Sequence, residues 1–379
     1  MSVKVRSHSW LNNQMNEQLA LKTIGELLEW DSEARDEFAW LKLLSTYKYD
    51  AYEGYEPGMR FYASLIGWLK QFPDMNDRRA AYAFLKQHLV FFSRQEIVHL
   101  VHRYWPLVQR TIVKAVADDM GISTWQVMAE PASKQEFYIQ LRQSLFVGLS
   151  DGAKMDVFRR DNEGRISNEQ TVVGHEVSDK KWIGMLDDLI KNIADKTRTA
   201  SHVFKHIFLI DDFTASGTSL IRKETNGDWG GKIPKFIEQA NKLHLDKLNN
   251  PCKVHVHHYI GTKFSEDKVI PLATEFQGQF PQFELDFTFG IIIEEKFNVS
   301  SATCKEFYEL IGRHYDPSVE TDISKCVKYG YKQGRLAVVL EHNTPNNTVG
   351  LIWAETSDRI EPKPATPMTP LFRRRARHA

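Results

Sequence analysis

Two adjacent carboxylates, Asp211 and Asp212, follow directly on an apolar run, Ile207-Phe208-Leu209-Ile210. They lead into Phe213, Thr214, Ala215, Ser216, Gly217, Thr218 and Ser219. The apolar run reads as a buried strand, and the small, hydroxyl-bearing residues after it as a loop that feeds a helix. Such a loop turns backbone N–H groups toward a ligand, and a helix N-terminus adds the positive end of its dipole, so phosphate is the usual guest. Gly217 lets main chain approach closely, while Ser216, Thr218 and Ser219 add hydroxyl donors. Carboxylates beside a phosphate cradle need a reason, because like charges repel. A sugar supplies one: Asp211 and Asp212 can accept hydrogen bonds from a ribose diol while the loop holds the 5′-phosphate. A metal ion in the same neighbourhood is a second use for them. The plain alternative is an Asp-Asp turn before an ordinary capped helix.

The surrounding elements place this stretch. Ser144–Leu149, His202–Ile210, Lys253–Ile260 and Phe283–Ile293 read as strands, with helical stretches at Trp182–Asp195, Ile233–Leu248 and Asp267–Phe276 between them. Strands alternating with helices predict an α/β domain with a mostly parallel sheet. In such sheets ligands bind outside the carboxyl ends of the strands, where the acid pair falls. Residues 225–231 read as an exposed turn. The first third of the chain carries apolar residues at helical spacing, with Ser93 and Glu96 spaced as a capping box. Its Trp and Phe residues are assigned to core. The expected organisation is a helical N-terminal domain over residues 1–128, an α/β core over 129–300, and a C-terminal extension over 301–379 that completes or caps the core and ends in a basic tail.

The stretch Leu-Ile-Asp-Asp-Phe-Thr-Ala-Ser-Gly-Thr-Ser, residues 209–219, resembles the signature of type I phosphoribosyltransferases position by position. The resemblance implies a Rossmann-like core, 5-phosphoribosyl 1-pyrophosphate or a related nucleotide as ligand, Mg2+ as cofactor, and displacement at the anomeric carbon. It also implies a pyrophosphate loop after an earlier strand, for which Ser150, Asp151, Gly152, Ala153 and Lys154 are the best candidates. There Gly152 would permit unusual backbone angles and Lys154 would meet pyrophosphate as a point charge; an ordinary surface turn is the equal alternative. Residues 159–177, with Arg159, Arg160 and Arg165, would be a mobile loop over the substrate, or a plain solvated one.

A second likeness is longer. Gly58-Met59-Arg60-Phe61, the acid pair, Glu341–Thr348 after an apolar run, and Pro370-Leu371-Phe372-Arg373 together resemble phosphoribosyltransferase-like effectors of bacterial conflict systems, some encoded beside retron reverse transcriptases. That likeness implies an antiviral role and a reverse transcriptase–nucleic acid complex as a partner. The amide-rich residues Asn343, Asn346 and Asn347 would read base edges or close the site, or serve as a hydrophilic connection. The alternative function is a catalytically silent nucleotide-sensing or partner-binding module.

Composition bounds these readings. The chain has 379 residues, 49 Lys+Arg against 49 Asp+Glu, and 42% hydrophobic residues, as an ordinary globular protein does. A global basic field for nucleic acid is therefore excluded. The cysteines, Cys252, Cys304 and Cys326, form no CxxC, and their odd number argues against a disulfide framework. No apolar run approaches the ~20 residues that span a bilayer, so a cytoplasmic protein without a membrane anchor is expected. His255, His257 and His258 fall in a strand, the first two on one face, and read as strand histidines rather than zinc ligands. The terminal Arg373–His378 stretch reads as a solvated end, with Arg373 anchored by the residues before it. Oligomeric state is not legible.

Overall fold

The computed structural model describes residues 17–31, 34–55, 60–174, 178–193, 202–243, 245–320, 327–357 and 367–374. The chain divides into two compact units, residues 1–94 with 296–379, and residues 95–295.

The first unit packs helices α1 (Glu17–Leu28), α2 (Arg35–Tyr47), α3 (Phe61–Lys70), α4 (Met75–Gln87), α11 (Lys305–His314) and the short α12 (Gly350–Trp353). It also holds a parallel pair of strands, β1 (Val90–Phe92) and β9 (Val338–Leu340). Asp74 caps α4 by accepting from the Asn76 N–H, which satisfies one of the donors a helix start leaves open. The core is aromatic. Phe372 is fully buried and packs against Tyr49, Tyr52, Tyr55, Phe61 and Phe91. The indole of Trp68 donates to the Leu351 carbonyl at 2.8 Å.

The second unit is built on a five-stranded parallel sheet in the order β3 (Thr171–Val173), β2 (Ser144–Gly148), β4 (Phe204–Thr214), β7 (Leu248–Thr262), β8 (Phe283–Ile293). A two-stranded hairpin, β5 (Arg222–Lys223) and β6 (Trp229–Gly230), stands beside it. Helices α7 (Met155–Asp161), α8 (Asp179–Asn192), α9 (Lys232–Leu243) and α10 (Lys263–Gln277) connect the strands, and α5 (Arg94–Met120) and α6 (Pro131–Arg142) precede them. Period-two alternation sorts β4. Ile207 and Leu209 enter a core with Trp182, Ile233, Phe236 and Val269, while Phe208 faces the side that carries Tyr104 of α5 and Phe146.

This division differs from the boundaries expected at 128 and 300. Helix α5 belongs with the sheet: its Tyr104 stacks on His257 with ring centroids 3.9 Å apart. The C-terminal extension belongs with the first four helices, because β9 pairs with β1 and Phe372 lies in their core. The α/β class with a mostly parallel sheet and a helical N-terminal region holds, as do all four strands read from sequence. Among the described residues no helix is long and apolar enough to cross a membrane.

Candidate functional site

Adjacent residues on a strand point to opposite faces, so the two carboxylates part. Asp211 is buried; its Oδ2 accepts from Lys232 Nζ at 2.5 Å and its Oδ1 from the Ser150 hydroxyl. Asp212 is half-buried, on the other face. A Cβ added at Gly152 would collide with the Asp212 carboxylate. The Ser150–Lys154 loop is thus brought against the acid pair, because β2 is the parallel neighbour of β4 and both end at the same edge. Gly152 serves close approach rather than an unusual backbone angle. The left-handed backbone falls instead at Lys154, with φ of 49°. The Tyr259 hydroxyl donates to the Ala153 carbonyl at 3.1 Å and fixes the turn from beneath.

Opposing effects act on Asp211. Burial disfavours its charge most, the neighbouring Asp212 charge adds to that, and Lys232 and the Ser150 hydroxyl work the other way. The balance raises the carboxyl from 3.8 to about 6. His258, opposite Asp211 in the β4–β7 register, is buried and held down to about 3 by burial first and the Lys232 charge second.

The Ala215–Ser219 loop follows directly. Ala215, Ser216 and Gly217 are buried, Thr218 is half-buried and Ser219 is exposed. Gly217 has φ of 67°, and a Cβ there would strike Val269 of α10. Among the described residues the N–H groups of Gly217 and Ser219 donate to no main-chain carbonyl. Helix α10 grips the loop from the side. Ser265 donates to the Thr214 carbonyl at 3.2 Å and Thr262 to that of Ala215 at 2.6 Å. Lys268 Nζ reaches the Ser216 carbonyl and the Thr218 hydroxyl, both at 3.2 Å.

The helix expected straight after the loop is not there. The chain turns at 218–220, runs through the β5–β6 hairpin and only then enters α9. The Leu220 and Ile221 amides fold back onto the Gly217 carbonyl, which closes a turn instead of a helix. Positive charge therefore reaches this edge through side chains, Lys232 and Lys268. Neither was singled out in sequence. The Gly230-Gly231 pair before Lys232, with Gly231 at φ of 112°, was the one local signal of a tight approach.

Residues 159–174 are also more ordered than a mobile loop: α7 runs to Asp161, and a short turn leads into β3. Residues 175–177 of that expectation lie outside the described residues. Arg159 donates to Asn168, Arg160 pairs with Asp156 at 2.6 Å, and Arg165 lies over the Trp105 ring. Asn343, Asn346 and Asn347 belong to the first unit. The Asn347 side chain donates to the Tyr331 carbonyl at 2.9 Å, the Asn346 carbonyl accepts from Tyr331 N–H at 2.8 Å, and the Asn343 main chain closes a tight bridge with Leu340. These contacts tie that unit's own loops together. His255 and His257 share a face as expected, with His255 3.3 Å from His206 and His257 2.9 Å from Thr288. Arg373 pairs with Glu355 at 2.5 Å behind buried Leu371 and Phe372; the rest of the tail, 375–379, lies outside the described residues, as does Cys326.

A family model described as PRTase-CE matches residues 65–374. No curated protein and no solved structure matches the chain.

Proposed function

Since the chain belongs to the PRTase-CE family and is a phosphoribosyltransferase-like protein, we propose that it binds 5-phosphoribosyl 1-pyrophosphate, or a related phosphoribosyl nucleotide, at the carboxyl edge of its parallel sheet and catalyses displacement at the anomeric carbon. The observation that carries this reading is the convergence on one edge of the Ala215–Ser219 loop, the acid pair and the Ser150–Lys154 loop.

The Gly217 and Ser219 amides and the Thr218 and Ser219 hydroxyls receive the 5′-phosphate, with Lys268 supplying positive charge. Asp212, the less buried acid, accepts from the ribose hydroxyls. Asp211 acts through Ser150 and Lys232, fixing the loop that faces the pyrophosphate, with Lys154 as a further cation. The transition state of such a displacement resembles an oxocarbenium ion, so the site's work is positioning and stabilisation of charge.

The donor set suits Mg2+. Half-buried Asp212 and exposed Asp151 offer carboxylate oxygen, and magnesium is commonly held by one or two carboxylates plus substrate phosphates and water. Among the described residues no group of three or more His, Cys, Asp or Glu is placed to hold a metal, which leaves the substrate's oxygens to complete the shell. When bound, the ion neutralises charge on the departing pyrophosphate.

Replacing both Asp211 and Asp212 by Asn abolishes pyrophosphate release from phosphoribosyl pyrophosphate, magnesium and a panel of bases and nucleotides, while far-UV circular dichroism stays native. Turnover that survives in the folded double variant refutes the assignment.

A second reading, a silent nucleotide-sensing or partner-binding module, draws on Lys232 and Lys268, which already occupy Asp211 and the phosphate loop. Ribose 5-phosphate binding without turnover of any acceptor favours it. An antiviral role, with a reverse transcriptase–nucleic acid complex as partner in the cytoplasm, rests on the likeness to conflict-system effectors. Loss of phage protection on deleting this chain, restored by the wild type and not by the double variant, is its test.

A further inference from the structure

At the amino ends of β3, β2 and β4, the opposite end of the sheet from the acid pair, lies a cavity of about 690 Å3. That size is typical of small-molecule sites. Helix α6, the 164–170 turn and the end of α8 line it. Much of its wall is apolar, including Ile139, Leu141, Ile166 and Ile193, yet its charged residues are all cations: Lys134, Arg142 and Arg165.

Arg142 is the informative one. Its guanidinium is only partly exposed and is held by neutral acceptors: the Ser167 hydroxyl, the Gln170 side-chain oxygen at 3.1 Å and the Asp188 carbonyl at 3.2 Å. Among the described residues no carboxylate lies within ion-pair distance of it, and its buried Nε has no acceptor. The charges of Glu169 and Asp188 act on it only at longer range, while burial works against its own charge. Burying part of a cation is costly, and an anion in the cavity would offset that cost more closely than the distant carboxylates do. Arg165, over the Trp105 ring, and Lys134 on α6 have no carboxylate partner among the described residues either.

We propose that this cavity binds a nucleoside 5′-monophosphate as a second ligand, separate from the phosphate loop. The phosphate lies on Arg142 with Lys134 and Arg165 beside it, since a guanidinium fork matches phosphate oxygens. The base lies against Tyr138, an exposed aromatic at the rim (55% exposed), and the apolar wall. The side-chain amides of Gln135 and Asn192 are at hand for base edges. An inorganic anion alone would leave that apolar wall uncovered, and an uncharged nucleoside would leave the cations unanswered.

The test is calorimetric titration of the full chain with the four common nucleoside 5′-monophosphates, adenosine and inorganic phosphate. Each titration is run with ribose 5-phosphate in excess, so that the loop site is filled. At least one nucleotide binds, with adenosine and inorganic phosphate about tenfold weaker or worse. Arg142→Gln weakens that nucleotide about tenfold or more. Lys134→Ala and Tyr138→Ala, both at exposed positions, weaken it severalfold with unchanged melting. Ribose 5-phosphate is also titrated by itself, so failure of the phosphoribosyl reading and failure of this one, which also rests on Lys134, Tyr138 and Arg142, are separable. Absence of nucleotide binding at millimolar concentration overturns the proposal, as does binding indifferent to Lys134→Ala, Tyr138→Ala and Arg142→Gln. Inorganic phosphate binding as tightly as the nucleotides also overturns it.

Discussion

Replacing Lys232 by Met tests whether the acid pair is held under the electrostatic tension described for it. In the wild type, Asp211 titrates at about 6 instead of 3.8 because burial and Asp212 outweigh Lys232. A carboxyl whose folded pKa is raised holds its proton longer in the native state. Its contribution is therefore neutral below about pH 4, and stability is lost as pH rises from 3.8 toward 6. The loss levels off at about 3 kcal/mol, the free energy of the difference between 3.8 and 6. Without Lys232 the two effects opposing the charge act alone with only Ser150 against them, and the carboxyl moves further up. The proton then stays on to higher pH, and the loss at neutral pH grows toward a ceiling of about 4 kcal/mol, the free energy of protonating an ordinary Asp at pH 7. The variant therefore has the same titration cost as wild type near pH 4.5 and up to about 1 kcal/mol more at pH 7. Urea unfolding at both pH values, read as the difference between wild type and variant, measures it. A difference independent of pH, or one that shrinks as pH rises, refutes the reasoning.

Two further outcomes follow from close packing. Gly152→Ala drives a methyl into the Asp212 carboxylate; the chain stays folded, while pyrophosphate release falls about 100-fold, the scale of an ångström-sized misplacement at a reacting centre, and a kinetic assay giving wild-type rates would show that the two loops do not share a site. Phe372→Ala empties the centre of the first unit's aromatic cluster and lowers its stability by about 3–5 kcal/mol in denaturant unfolding; a cost under 1 kcal/mol would mean that the C-terminal segment is not part of that core.

Much of the second unit was legible because its signals are local. A buried strand shows itself as an apolar run, and the loop that leaves it as small and hydroxyl residues. Ile207–Ser219 carries both within one short stretch, together with the family likeness. Strand β3, only Thr171–Val173, is too short to leave such a run and reads as loop. The turn in place of a helix after Gly217 leaves no sequence signal for a related reason: Thr218, Ser219 and Leu220 are compatible with either, and the choice is made by amides folding back onto the Gly217 carbonyl.

What the amino-acid sequence determined by itself is which groups stand at the strand end, two acids and a loop of small and hydroxyl residues, since those groups are neighbours along the chain. What only the tertiary structure decided is which distant side chains meet them. Ser150 and Lys232 converge on Asp211 from 61 and 21 residues away, and Lys268 reaches the loop from 50 residues beyond Thr218. Contacts over such separations depend on strand order and register, which side-chain periodicity does not encode. The same holds for α5 against the sheet and Phe372 in the core of the N-terminal helices. Their apolar faces announced burial, but the partner was fixed only when the strands paired.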